Sequence, residues 1–253
     1  MAYQTINLQK KNGVARITLD RPQAMNAINM DVVTELRDAL SDIKSDAAVR
    51  VVVITGAGKA FCAGADLKAG PEGVGKIVSQ GKKTYRAIED LDRPVIAAVN
   101  GYCITGGLEL AMSCDMIIAS ENAIFWDTHG RVGAVPGWGG SQRLPRIVGI
   151  MKAKEMFFAS EPITAREAER LGLVNHVVPH DQLESAVQEM ADKIIANSGA
   201  AVAWMKSLVN EGSKVTLEAA LRLEPDLEIA TPDATDRMKA FREGRLPKPK
   251  PRR

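Results

Sequence analysis

The sequence is poor in residues that often mark a metal site, a disulfide framework or a membrane segment. Its 253 residues include three histidines, three cysteines and only 4% aromatic residues. Cys62, Cys103 and Cys114 have no metal-binding spacing, so we expect reduced thiols, no metal and a cytoplasmic protein. No apolar run approaches the roughly 20 residues of a membrane-spanning helix, and the first residues lack a signal-peptide core, so we expect no membrane partner.

Neither sign of charge is in large excess, because the formal net charge is +2. The basic residues are nevertheless concentrated at one end, where residues 237–253 include eight basic residues and a single acid, Glu243. A basic segment can bind nucleic acid. The prolines at 247, 249 and 251 instead favour an extended, solvated tail. We favour the solvated tail and expect no nucleic-acid partner.

Apolar runs and helical stripes alternate in the first part of the chain. Residues 31–43 carry apolar side chains at helical spacing, whereas residues 51–54 form a continuous apolar run that suits a strand buried on both faces. Strands separated by helices predict crossover units and a mostly parallel α/β arrangement. The further predicted strands are 15–19, 94–99 and 116–118.

The second part of the chain is predominantly helical in pattern. Thr164 and Glu167 form a capping box, and Asp181 with Glu184 begins another amphipathic helix. Helical patterns continue over 200–211 and 216–229. We therefore divide the chain into an α/β body at residues 1–195 and a helical C-terminal region at residues 196–253.

Two segments of small residues follow predicted strands. The first is residues 61–68 (FCAGADLK), and the second is residues 100–110 (NGYCITGGLEL), which also begins a helix. Glycine allows close approach of the backbone to a ligand, and a helix N-terminus offers unpaired N–H groups. Two such N–H groups converging on one point would form an oxyanion hole for a carbonyl oxygen. Tight strand-to-helix turns without a ligand are the alternative.

Taken together, these segments resemble the enoyl-CoA hydratase/isomerase (crotonase) superfamily. The resemblance extends to Arg21-Pro22 with Asn26-Ala27, and to residues 133–144 (GAVPGWGGSQRL), in the family's order. It implies an α/β fold built as a crotonase-type spiral of ββα units with a helical C-terminal trimerisation region. It also implies an acyl-CoA substrate, a homotrimer or hexamer, and no cofactor, because coenzyme A is part of the substrate.

The resemblance assigns roles to individual residues. It places the oxyanion donors at the backbone N–H groups of Ala65 and Gly106, and the first catalytic carboxylate at Glu109. A helix-capping role is the alternative for Glu109. It places the contacts to the coenzyme A portion of the substrate at Ala24, Ala27, Ala63, Asp66, Leu67 and Lys68.

The chain departs from the family pattern at His129. Hydratases of this family place a second glutamate seven residues before the Pro-Gly of the segment that matches residues 133–144. That Pro-Gly is Pro136-Gly137 here, so the glutamate would stand at position 129. An imidazole can accept or donate a proton near neutral pH, so His129 can replace that glutamate, with Asp127 orienting the ring. Packing in the pocket is the alternative role for His129.

Hydration of a 2-enoyl-CoA by Glu109 and His129 is therefore our first prediction of function. The alternatives are double-bond isomerisation by Glu109 alone and a homologue that binds acyl-CoA, or RNA, without catalysis. We also expect residues 69–81, which are rich in glycine, to form a mobile segment at the border of the acyl pocket, with Trp126 and Trp138 as candidates to narrow that pocket.

Overall fold

A computed structural model describes residues 3–224 and 231–246. It consists of ten strands and ten helices within those residues. The strands are β1 Ile6–Lys11, β2 Val14–Leu19, β3 Val51–Gly56, β4 Ala60–Cys62, β5 Val95–Val99, β6 Tyr102–Ile104, β7 Met116–Ser120, β8 Ile124–Trp126, β9 Ile163–Thr164 and β10 His176–Val178. The helices are α1 Met30–Ser45, α2 Gly70–Glu89, α3 Gly106–Met112, α4 Gly140–Val148, α5 Ile150–Ala159, α6 Ala165–Arg170, α7 Leu183–Ile195, α8 Gly199–Gly212, α9 Leu217–Leu221 and α10 Ala234–Arg242.

The strands form two sheets. The larger sheet has the order β1-β2-β3-β5-β7-β10 and is parallel except for the β1–β2 pair. The smaller sheet has the order β4-β6-β8-β9 and is parallel except for the β8–β9 pair. Strands β4, β6 and β8 of the smaller sheet each follow closely on a strand of the larger one, so the chain repeatedly passes from one sheet to the other. The predicted α/β class is confirmed.

The larger sheet is buried on both faces, as the apolar run in β3 predicts. Val52 and Ile54 point into the main core with α1, whereas Val51 and Val53 point into a second core. Helix α7 covers that second core with Leu183, Val187 and Ala191. The alternation of side chains across a strand explains why four consecutive valine and isoleucine residues are all buried.

Most of the predicted elements are present within one to three residues of their predicted bounds. Thr164 caps α6 by accepting a hydrogen bond from the Glu167 N–H at 3.2 Å, which confirms half of the predicted capping box. The helix predicted over 216–229 is shorter than expected, because α9 ends at Leu221. Residues 225–229 of that prediction lie outside the described residues, as does the proline-rich tail from residue 247. None of the described helices is long and apolar enough to cross a lipid bilayer.

The segment at residues 69–81, which we expected to be mobile and to border the acyl pocket, is largely helical, and its Val74 and Val78 line the cleft described below. Residues 70–81 form the first part of α2, which begins at Gly70 and has Pro71 in its first turn. Proline is tolerated there because the first N–H groups of a helix have no intrahelical acceptor. Ile77, Gly81 and Tyr85 are buried, so packing against the core overrides the low helix propensity of the glycines.

Candidate active site

The two residues predicted to supply the oxyanion hole, Ala65 and Gly106, line one cleft beside the glycine-rich turns. Ile28 donates to the Gly64 carbonyl at 2.7 Å and accepts from the Asp66 N–H at 2.9 Å. In such a parallel bridge the intervening residue, Ala65, directs its own N–H to the opposite side. Gly106 is the first residue of α3, so its N–H has no acceptor within the helix. Ala65 and Gly106 both line the cleft, as the oxyanion prediction requires.

Close packing between the two turns explains their glycines. Gly64 has a φ of +88°, and a Cβ built on it would lie 2.8 Å from the Gly106 nitrogen. A Cβ on Gly107 would overlap the carbonyl oxygen of Cys62. Any larger residue would separate β4 from α3. The small residues therefore fix the spacing of the two N–H groups before a ligand arrives.

Thr105, immediately before α3, has an unusual conformation that sequence reasoning missed. Its φ of 52° and ψ of −108° lie in a region that a β-branched residue rarely adopts. Its hydroxyl makes no cap hydrogen bond to α3 and instead lies 2.5 Å from the Thr128 hydroxyl. The start of α3 thus stays open to a ligand. No feature of the sequence distinguishes this threonine from an ordinary helix cap.

Glu109 is a buried carboxyl with one oxygen occupied and one oxygen available. Oε1 accepts hydrogen bonds from the N–H groups of Trp138 and Gly140, each at 2.8 Å. Oε2 lies 3.8 Å from Nε2 of His129. Burial raises the pKa of Glu109, although the two N–H donors and His129 act in the opposite direction. Because Oε1 is occupied by two N–H donors, Oε2 is the oxygen that faces His129.

His129 is held by a buried aspartate. Oδ2 of Asp127 lies 2.8 Å from Nδ1 of His129, and Oδ1 accepts the backbone N–H of His129 at 3.1 Å. An ionised carboxylate can only accept, so Nδ1 carries the ring proton in this contact. The other ring nitrogen, Nε2, lies 3.8 Å from Oε2 of Glu109. The structure thus brings together Glu109 and His129, with the predicted partner Asp127 in contact with the His129 ring.

Ala65, Gly106, Glu109 and His129 line a cleft of about 100 Å³. Of the residues predicted to contact coenzyme A, Ala63 and Leu67 also line this cleft. Apolar side chains dominate the remaining wall. The lining consists of Ala63, Ala65, Leu67, Val74, Val78, Thr105, Gly106, Glu109, Thr128, His129, Val132, Ala134, Val135, Gly137 and Trp138.

The other predicted contacts to coenzyme A, which are Ala24, Ala27, Asp66 and Lys68, are not part of the lining of the cleft. Asp66 forms an ion pair with Arg21 (Oδ2 to Nη2, 2.9 Å) and accepts the Lys68 N–H at 3.2 Å. Arg21 also donates to the carbonyl of Ala27, which is buried, whereas Ala24 is half-buried in the preceding 3-10 turn. The ion pair therefore joins Arg21 to the first glycine-rich turn, residues 61–68. Lys68 is exposed.

Comparison with known proteins gives a consistent picture. A profile described as enoyl-CoA hydratase/isomerase matches residues 9–250. The chain is 41% identical to a crotonyl-CoA hydratase of Syntrophomonas wolfei and 41% identical to a short-chain-enoyl-CoA hydratase of Clostridium acetobutylicum, in each case over 97% of both chains. The crystal structure of an enoyl-CoA hydratase from Bacillus anthracis superimposes with a TM-score of 0.93 at 40% identity, covering 97% of this chain and 98% of that one. The chain therefore belongs to the enoyl-CoA hydratase/isomerase family.

Proposed function

We propose that the protein is an enoyl-CoA hydratase that adds water across the double bond of a 2-enoyl-CoA thioester. Relatives that share 41% identity over nearly their whole length carry hydratase names. The cleft combines two backbone donors with two acid–base side chains, which is the set of groups that conjugate addition of water requires. The observation that carries the proposal is the 3.8 Å separation between Glu109 Oε2 and His129 Nε2.

In this proposal the N–H groups of Ala65 and Gly106 donate to the thioester oxygen. Both donors belong to rigid turns, so little reorganisation is needed when negative charge develops on that oxygen. The double bond then lies beside Glu109 and His129. Donation to the carbonyl oxygen withdraws electrons from the double bond and makes its β-carbon electrophilic.

A water molecule bound by both Glu109 Oε2 and His129 Nε2 is the proposed nucleophile. Its oxygen bonds to the β-carbon while Nε2 accepts one of its protons, and the displaced π electrons move onto the thioester oxygen as an enolate. The protonated Glu109 carboxyl then gives its proton to the α-carbon as the enolate collapses. Transfer of the proton from Nε2 to Oε2 restores both residues, so the net change is addition of one water.

An isomerase that uses Glu109 alone is the main alternative. Shuttling one proton between two carbons needs one acid–base group and no bound water. The buried Asp127–His129 contact at 2.8 Å provides a second acid–base group directed at the same point. This second group favours hydration over isomerisation.

The test is to incubate the purified protein with crotonyl-CoA in water enriched in a heavy oxygen isotope. We expect loss of the enoyl-thioester absorbance and one heavy oxygen in the 3-hydroxyacyl product. Binding of butyryl-CoA, measured by calorimetry, reports on the site independently of turnover. Butyryl-CoA binding without any hydration would refute the hydratase proposal and favour the non-catalytic alternative. Conversion of a 3-enoyl-CoA to a product that contains no heavy oxygen would identify an isomerase.

Two substitutions assign the roles of the acid–base groups. Glu109→Gln and His129→Ala should each lower kcat by about 10²–10⁴-fold while leaving butyryl-CoA affinity nearly unchanged. Glu121→Gln and His180→Ala are matched controls, because neither residue lines the cleft. Turnover of His129→Ala at the rate of its control would limit His129 to packing.

We also propose that the protein assembles as a homotrimer or hexamer. Met151 and Phe158 on α5 are each 80% exposed, and Phe241 on α10 is 74% exposed. Large apolar side chains exposed in groups are typical of a surface that another subunit covers. Light scattering should give a mass of three or six chains, and a monomer across the micromolar range would contradict this assignment.

A cytoplasmic location and catalysis without a cofactor complete the proposal. Cys62, Cys103 and Cys114 are all free thiols, which suits a reducing compartment. The proposed steps use only backbone donors, Glu109 and His129. Full activity after dialysis against a metal chelator, with crotonyl-CoA as sole organic substrate, would support the absence of a cofactor.

A further inference from the structure

The lining of the cleft includes both exposed and buried side chains. Leu67 and Val135 are 59% and 82% exposed. Trp138, which also lines the cleft, is only 3% exposed. It is the largest buried side chain in the lining of the cleft.

The indole is enclosed by α2 and α3. A Cβ on Gly81 of α2 would lie 2.8 Å from the indole nitrogen, and a Cβ on Gly106 would overlap the ring. Nε1 donates to the carbonyl of Val78 at 2.8 Å, and the ring centroid of Tyr85 lies 4.7 Å away. The ring therefore cannot move aside unless α2 moves with it.

Trp138 also lies next to the reacting atoms. Its backbone N–H donates to Glu109, and its ring touches the Cα side of Gly106. An acyl group with its oxygen at the Gly106 N–H and its reacting carbons beside Glu109 therefore lies close to Trp138. The side chain at position 138 thus limits the space beyond the double bond.

We propose that Trp138 is the residue that restricts the substrate to short acyl chains. The inference rests on the proposed function. The cleft of about 100 Å³ is smaller than the roughly 150 Å³ apolar cavity that accommodates benzene in an engineered protein. A longer chain has to displace a packed indole, and overfilling a packed site is costly.

The experiment compares kcat/KM for crotonyl-, 2-hexenoyl-, 2-octenoyl- and 2-decenoyl-CoA. For the unchanged protein we expect a steep decline with length. Trp138→Leu keeps the N–H that binds Glu109 but removes the indole. It should raise the ratio of decenoyl to crotonyl kcat/KM by at least about tenfold. Trp138→Phe should shift the ratio in the same direction by less, and Trp204→Leu on α8 is the matched control that should not shift it.

A merely structural tryptophan predicts a different result. In that case Trp138→Leu would lower kcat/KM equally for every chain length, and this outcome would overturn the proposal, as would a shift of equal size in the Trp204→Leu control. Should Trp138→Leu fail to fold, Trp138→Phe decides alone by the same ratio.

Affinities for butyryl- and decanoyl-CoA, measured by calorimetry, separate this inference from the hydratase proposal. A Trp138→Leu variant that gains affinity only for decanoyl-CoA supports the chain-length role even in the absence of hydration. Hydration with an unchanged length profile refutes the chain-length role alone.

Discussion

Asp127→Asn tests the proposed chemistry most sharply, because it changes one atom behind the acid–base pair. Asp127 is 1% exposed and its two oxygens contact the ring nitrogen and the backbone N–H of His129. A backbone N–H can only donate, so the amide oxygen of the new asparagine must face it. The amide nitrogen then faces Nδ1 and donates to it.

This arrangement reverses the tautomer of the imidazole. With Nδ1 as the acceptor, the ring proton of His129 lies on Nε2, which can no longer accept a proton from water. Loss of a positioned base lowers rates by about 10²–10⁴-fold. That range corresponds to roughly 3–5 kcal/mol of transition-state free energy. Butyryl-CoA affinity should be preserved, because Asp127 does not line the cleft.

The assay is steady-state hydration of crotonyl-CoA, with thermal denaturation to confirm that the variant is folded. Asp192→Asn on the surface helix α7 is the matched control. A folded Asp127→Asn variant with kcat within about threefold of the control would show that the tautomer of His129 does not matter. The role proposed for Nε2 would then have to be abandoned.

Three further predictions concern stability and reactivity. Burial raises the pKa of Glu109, so the folded protein binds this proton more tightly than the unfolded chain and loses stability as pH rises through that pKa. Glu109→Gln should therefore raise the melting midpoint at neutral pH. A lower midpoint would contradict this reasoning. Asn26→Ala removes hydrogen bonds to the carbonyls of Ala57 and Ala60 at 2.9 and 2.7 Å, and urea denaturation should show a loss of roughly 2–4 kcal/mol. Burial raises the pKa of Cys62 to about 12, so iodoacetamide should label it only after unfolding, and rapid labelling of the folded protein would refute the burial argument.

The sequence predicted the elements whose local pattern and tertiary environment agree. The run at 51–54 is buried on both faces and became β3, and the stripe at 31–43 became α1. Helix α2 was missed because its glycines have low helix propensity. At Gly81 the missing side chain makes room for the indole of Trp138, a contact over fifty residues along the chain. Local propensity cannot report a packing requirement of that kind. The division at residue 195 stays a prediction.

The candidate site shows the same limit. The resemblance to the family indicated Glu109, His129 and the N–H groups of Ala65 and Gly106, and the structure brings these four residues to one cleft. Asp127 was expected to reach His129 because side chains two residues apart in an extended chain lie on the same face. His129 instead has helical φ and ψ of −53° and −48°, and the contact is closed by the carboxylate accepting the histidine's own N–H. The N–H groups that donate to Glu109 are those of Trp138 and Gly140, which lie within residues 133–144. The glycines of that segment indicated a turn, but not that the turn would contact Glu109.

Charge balance explains why a histidine can occupy position 129. Two buried carboxylates close together repel, so one of them must take up a proton. In the proposed mechanism Glu109 and His129 share a proton without that cost, because a neutral acid with a neutral imidazole and a carboxylate with an imidazolium have the same net charge. Asp127, whose Oδ2 lies 2.8 Å from Nδ1 of His129, would stabilise the imidazolium that this mechanism forms when water gives up its proton. The proton can therefore move between the two residues with little change in the buried charge, which is the property that a reversible hydration needs.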